Sequence, residues 1–360
     1  MRVFHCESCD NLLFFENTTC VSCGHAVAFL PDVRRVGALE PGPEGIWVSP
    51  GGESPGSRYR LCRNYIEAQV CNWAVPVDDG HDYCASCRLT ELIPDVAQPH
   101  AHEAWLRLEA AKRRLVYTLQ TLALPIASRL DDSTAGLAFR FEADPPPGST
   151  SPAVLTGHNQ GVITVNIAEA DDAERERRRN AVQEPYRTLL GHMRHESGHY
   201  YWDRLIRDTP QIDAYRQVFG DEQQNYADAL QRHYAQGAPT DWPERFVSAY
   251  AGAHPWEDWA ETWAHYLHIF DTVETAAACG VSLRPRRRDE PALAKVPDPS
   301  SPGALAFDRI IDSWFPLTYV LNSLNRGLGL SDAYPFVLST PAIEKLRFVH
   351  DVIARAGGQP

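Results

Sequence analysis

Apolar positions recur with a helical period over residues 102–127 (HEAWLRLEAAKRRLVYTLQTLALPIA), a stretch rich in Ala, Leu, Arg and Glu, and predict a long helix. Pro185 opens a second predicted helix running to about residue 208, since a proline at the first helical position gives up an N–H that would lack a partner anyway. Pro255 opens a third, over 256–278, and two more helical patterns cover 310–324 and 342–356. The best strand signal is Gly161-Val-Ile-Thr-Val-Asn-Ile167, β-branched and bounded by turn residues. A shorter apolar run, Asn11-Leu-Leu-Phe-Phe15, suits a small strand. Residues 93–102 read as a linker, Asp144-Pro-Pro-Pro-Gly148 as a loop, and the Pro- and Arg-rich stretch 280–303 as a long surface loop. The mixed-charge run 173–181 reads as a solvated helical face. Neither an internal repeat nor a P-loop, G-x-G-x-x-G or G-x-S-x-G motif is present. The pattern predicts an α+β chain: a small amino-terminal region, residues 1–92, and a mostly helical domain with a small sheet, residues 103–357.

Composition narrows the class. Of 360 residues, 44% are hydrophobic and 22% charged, which is globular, and the net charge is −13. So acidic a chain has no general attraction for phosphate backbones or anionic lipid, so neither nucleic acid nor membrane is an expected partner. No apolar run approaches the roughly 18 residues of a membrane span. The start MRVFHCESC does not read as a signal peptide, so a cytoplasmic location is expected.

The cysteines are clustered. Eight of the nine lie between Cys6 and Cys87, and in a reducing compartment such clusters read first as metal ligands. Cys6-Glu-Ser-Cys9 and Cys20-Val-Ser-Cys23 each offer two thiolates from one tight turn, and together make a four-thiolate zinc ribbon. Cys62, Cys71, Cys84 and Cys87 make a less regular second set, read as a second four-cysteine zinc site, with free buried thiols as the alternative. Such a polar, Gly- and Pro-rich stretch is not expected to form a core of its own. Each zinc would then supply folding free energy on the order of 10 kcal/mol. Residues 1–92 hold seven Arg, no Lys and twelve acidic residues, the wrong sign for tracking phosphate. The ribbon is therefore read as structural or as a candidate docking surface for a protein partner.

The chemistry lies further on. His195-Glu196-Ser197-Gly198-His199 is H-E-x-x-H in the middle of the second predicted helix. Residues four apart share a helical face, so both imidazoles can reach one ion. Glu196 projects to the side, where it can take a proton from water activated by the metal. His192 shares the face but is read as a packing or supporting residue, and Trp202 and Leu205 stand where a metzincin would have its Gly and third His. A third ligand must come from elsewhere. In the third helix, Glu257, Glu261 and His265 form one polar stripe, and Trp259, Trp263 and Leu267 form a separate apolar one. Glu257 would complete a His₂Glu site and leave a position for water. Glu261, one turn on, would hold a ligand imidazole by its free N–H. Both carboxylates could reach an ion, and acids in a first turn also suit the helix dipole.

H-E-x-G-H followed by E-x-x-A-E resembles the gluzincin metallopeptidases, and Glu257-Asp-Trp-Ala-Glu261-Thr-Trp is similar to the third-ligand helix of the lethal-factor type. The resemblance implies that a Tyr seven residues before the ligand Glu, here Tyr250, stabilises the oxyanion, a contribution of a few kcal/mol. A packing role is the alternative for Tyr250. That spacing is also what favours Glu257 over Glu261 as ligand. Gluzincins hold extended substrate along a strand beside the cleft, which implies that role for residues 161–167. The chain also resembles bacterial zinc metallopeptidases with an amino-terminal ribbon: residues 6–23 match the ribbon, and 195–199 and 256–268 the peptidase. Residues 332–351 (DAYPFVLSTPAIEKLRFVHD) resemble that family's carboxy-terminal segment.

The expectation is a zinc peptidase acting on peptide or protein substrates, with one catalytic zinc and one or two structural zincs. The alternative is a zinc-dependent binding module whose H-E-x-x-H holds a structural or vestigial metal. An intact Glu196 argues against it, since a structural site needs no base.

Overall fold

The computed structural model describes residues 2–146, 148–175, 177, 188–301 and 306–358. It is α+β, with a zinc-ribbon region at the amino terminus and a helical carboxy-terminal domain carrying sheet. The chain forms two compact units: Met1–Tyr117 with Ala127–Thr156 and Thr164–Asp171, and Thr118–Ile126 with Gly157–Ile163 and Asp172–Pro360.

In the first unit, β1 (Phe4–His5), just before Cys6, pairs antiparallel with β2 (Leu12–Leu13), which lies between Cys9 and Cys20. Next comes a five-stranded sheet in sequence order: β3 (Ala26–Leu30), β4 (Arg35–Pro41), β5 (Trp47–Val48), β6 (Arg58–Leu61) and β7 (Ala74–Pro76). The sheet curls until its ends meet, Phe29 N–H donating to Asn72 O at 2.8 Å beside a Phe29–Trp73 bridge. Ala28, Leu30, Leu39, Tyr59, Leu61 and Ala74 are buried together, so this region does have a core, contrary to the sequence expectation. Val27 to Leu30 are buried on both faces of the strand, a continuous apolar run that shows no alternation to read.

Helix α1 (Ala101–Thr121) follows the loop after β8 (Thr90–Leu92) and sets Tyr117 against Phe15 and Phe29, with ring centroids 5.5 and 5.9 Å apart. β8 pairs in parallel with β9 (Ala138–Glu142). With β10 (Gly157–Asn159) and β11 (Val162–Asn166) they form a sheet ordered β10-β11-β9-β8. The strand predicted over 161–167 is thus interior, both of its edges being taken. The outer strand on that side is β10, which the sequence pattern did not mark.

The second unit is built on α2 (Leu189–Leu205) and α5 (Pro255–Ala278), with α3 (Ile212–Phe219), α4 (Tyr226–Gln236), α6 (Phe307–Gly327) and α7 (Thr340–Ala356) packed around them. α2 starts behind Thr188, whose hydroxyl accepts from Gly191 N–H at 2.9 Å. The expected opening at Pro185 lies outside the described residues, as does most of the charged run 173–181. α5 begins at Pro255 with His254 as its cap. α3 and α4 went unpredicted. The stretch 280–303 carries no helix or strand among its described residues, but buried Leu293 and Val296 anchor it, so it is not merely a surface loop. No helix among the described residues is long and apolar enough to cross a membrane.

Candidate metal centres and active site

The four sulfurs of Cys6, Cys9, Cys20 and Cys23 lie within 4.8 Å of one another, as do those of Cys62, Cys71, Cys84 and Cys87. Cys6–Cys23 and Cys9–Cys20 are each 3.6 Å apart and Cys71–Cys84 is 3.7 Å. Disulfide sulfurs would be about 2.05 Å apart. A tetrahedron with Zn–S near 2.3 Å has edges of about 3.8 Å, so both quartets fit zinc. The knuckles form as their sequence suggests: Asp10 N–H donates to Cys6 O at 2.8 Å and Gly24 N–H to Cys20 O at 2.9 Å, with Gly24 at φ +77. The second quartet is wholly buried, and burial pushes the Cys84 thiol far up; a bound cation would let four thiolates coexist there. Buried Arg113 donates to Val70 O beside it, adding positive charge near the cluster.

The third grouping lies in the second unit. α2 carries His195, Glu196 and His199, and α5 carries Glu257 and Glu261. The two helices are joined by the apolar stripe of α5, where Trp259 Nε1 donates to Gly198 O at 2.8 Å and Trp263 Nε1 to Ser197 Oγ at 3.1 Å. That packing brings one atom each of His195, His199 and Glu257 within 4.8 Å of one another. Glu257 Oε2 is 3.0 Å from His195 Nε2 and 3.5 Å from His199 Nε2. It is buried and makes no hydrogen bond to either, so these donors converge without satisfying one another. Two imidazoles and a carboxylate around a shared point are a donor set that suits zinc. Burial would raise the Glu257 carboxyl, but the two imidazoles outweigh it and hold the group well below the usual carboxylate range.

Glu261 stands outside this convergence. Its Oε1 lies 2.7 Å from His195 Nδ1 and its Oε2 accepts from Ser248 Oγ at 2.5 Å. His195 is therefore held between two carboxylates of one helix. Burial works against charge on its ring, yet both carboxylates push it well above its ordinary value. Glu196 is buried on the same helix. Tyr250, in a turn of 3₁₀ helix just before α5, has its ring 5.9 Å from that of His195. His192 is outside the metal grouping, and His265 turns away to Tyr334, its Nδ1 2.6 Å from the hydroxyl.

Four neighbours were not foreseen from the sequence. Tyr226, at the start of α4, donates its hydroxyl to Glu257 Oε1 at 2.6 Å. His233, two turns on along the same helix face, has its ring 5.7 Å from Tyr250. Trp256 lies on His199 at 3.8 Å between centroids. His158 of β10 stacks towards His199 at 6.3 Å, and accepts from Gly161 N–H at its Nε2. Asn225 as a helix cap and the seven-residue spacing of Tyr226 and His233 were the available signals for the first two.

A family described as "Putative zinc-binding metallo-peptidase" matches residues 101–352, and a zinc-ribbon domain matches residues 3–98. An uncharacterized protein of Mycobacterium bovis and two from strains of Mycobacterium tuberculosis are each 44% identical over 354 residues, covering 98% of this chain and 95% of theirs. No solved structure gives a significant match.

Proposed function

Because the chain belongs to the zinc-binding metallo-peptidase family matched over residues 101–352, we propose that it is a gluzincin-type peptidase with its zinc held by His195, His199 and Glu257. The observation that carries this reading is Glu257 Oε2, buried without a hydrogen bond between His195 Nε2 and His199 Nε2. Zinc, when bound, supplies the Lewis acid that polarises the scissile carbonyl and acidifies water.

This chain's own residues do the rest. Glu196 takes the proton from the attacking water and passes it to the leaving amine. Glu261, itself held by Ser248, fixes the orientation of the His195 ring through Nδ1. Tyr250 donates a hydrogen bond from its phenol to the oxyanion as the carbonyl becomes tetrahedral. Extended substrate lies along β10, the outer strand of its sheet, whose His158 is beside His199. Residues 1–92 act as a structural zinc-ribbon region and a docking surface for a protein partner, and 103–357 as the peptidase domain. The protein works in the cytoplasm.

Glu196→Gln tests the reading. It should keep all its zinc and the fold while hydrolysis of a broad peptide library falls by several orders of magnitude. Zinc loss in this variant would make Glu196 a ligand. A zinc-loaded wild type that cleaves no peptide would favour the binding-module alternative.

A further inference from the structure

The hydroxyl of Tyr226 ends on the one oxygen of Glu257 that does not face the two imidazoles. At 2.6 Å the contact has the length of a charge-assisted O–H···O⁻ bond, among the stronger hydrogen bonds a carboxylate accepts. The segment that brings Tyr226 there is tied to the same end of α5. His254, which caps α5 by accepting from Trp256 N–H at 3.1 Å, has its Nε2 3.2 Å from Gln224 O, two residues before Tyr226. The Tyr226 ring packs edge-on to His254 at 5.3 Å and to Trp256 at 5.6 Å. The rest of α4 is mostly exposed, with Ala229 its one buried residue. α4 thus invests little in the core and yet delivers one polar atom to Glu257.

We propose that Tyr226 is a positioning residue for Glu257: it holds Oε1 so that Oε2 alone is presented to zinc. This rests on the metallopeptidase reading of the site. A carboxylate free to turn could offer both oxygens, filling the position that a catalytic zinc keeps open. Fixing one oxygen from outside prevents that and removes the rotational freedom that zinc binding would otherwise have to freeze out. The hydroxyl touches Glu257 and acts through it.

The test uses full-length protein as wild type, Tyr226→Phe and Glu257→Ala, with zinc counted per chain during chelator titration and kcat and KM measured on one library-derived peptide. Tyr226 is 38% exposed and Phe keeps its ring, so the Phe variant should fold, with thermal unfolding of the zinc-loaded protein as the check. Its third zinc should bind roughly 10–100-fold more weakly, the usual effect of losing a group that orients a ligand. Glu257→Ala should lose that zinc, and kcat of the Phe variant should stay low at saturating zinc. Equal zinc affinity in wild type and Tyr226→Phe overturns the proposal, even if kcat falls, since the hydroxyl would then serve substrate directly. Zinc content that is the same in Glu257→Ala and wild type overturns the metallopeptidase reading of the histidine site, and this proposal with it.

Discussion

Gly198 lies directly against Ala260 where the two helices that carry the site pack: a β-carbon on Gly198 would lie 2.9 Å from the Ala260 α-carbon. The obstruction is backbone, which cannot swing aside as a flexible side chain could. The glycine of H-E-S-G-H is thus a packing requirement, and the histidines on either side of it meet Glu257 only because it is small.

Gly198→Ala should therefore destabilise the protein by about 1–3 kcal/mol, the usual cost of overpacking. It should also weaken zinc binding at His195, His199 and Glu257 by spreading α2 from α5. Thermal unfolding with zinc titration checks both. An unchanged melting temperature would mean that the helices can part at no cost.

Glu257→Ala and Glu261→Ala separate ligand from support. The first should strip the third zinc, leaving two imidazoles; the second should weaken it by roughly 10–100-fold, since only the orientation of His195 suffers. Zinc titration of both variants decides. The reverse order would place the ligand one helical turn further along α5.

Metal content should be three zinc ions per chain, two in cysteine quartets and one at the histidines. Replacing Cys62 and Cys71 by Ser should remove one equivalent, leave the histidine site loaded, and destabilise a region whose folding draws on that metal. Elemental analysis of protein purified without added zinc measures this. A wild-type value near two would remove one of the three sites.

Acid should weaken the fold through His265. Burial holds this imidazole down to about 4, whereas the ordinary value is 6.5. The unfolded chain takes up a proton as pH falls through 6.5, and the folded chain resists until about 4. The stability tied to this group is complete above pH 6.5 and lost as pH falls towards 4, at up to roughly 1.4 kcal/mol per pH unit. Melting temperature should fall less steeply over that window in His265→Gln than in wild type. Identical slopes would assign the acid sensitivity to other groups, of which His268, also pushed down by burial, is the first.

Much of this architecture was legible because it is local. Helical periodicity marked α1, α5, α6 and α7, and two C-x-x-C turns marked the ribbon. A four-residue spacing put His195 and His199 on one face. What stayed hidden depends on distant pairing. The β3–β7 sheet has strands buried on both sides, and the interior place of β11 follows from partners elsewhere in the chain. Tyr226 and Ser248 reach Glu257 and Glu261 across 31 and 13 residues, and no spacing rule connects them. α4 has too few apolar positions to stand out, because it is mostly exposed.

The parallel pairing of β8 with β9 bears on any attempt to cut the ribbon away. Thr90, on β8, donates its hydroxyl to Glu109 at 2.7 Å and accepts from Lys112, and both of these α1 side chains are fully buried. A shortened protein starting after residue 92 would leave that ion pair without its third member and strip β9 of a neighbour, uncovering the edge of a strand that carries Phe139 and Phe141. Insolubility in such a fragment would report a torn sheet and an exposed charge pair. The amino-terminal quarter is bonded into the masonry of the unit, and its contribution to substrate choice is better approached by point substitutions on its outer face, at Phe14 or Val21, than by deletion.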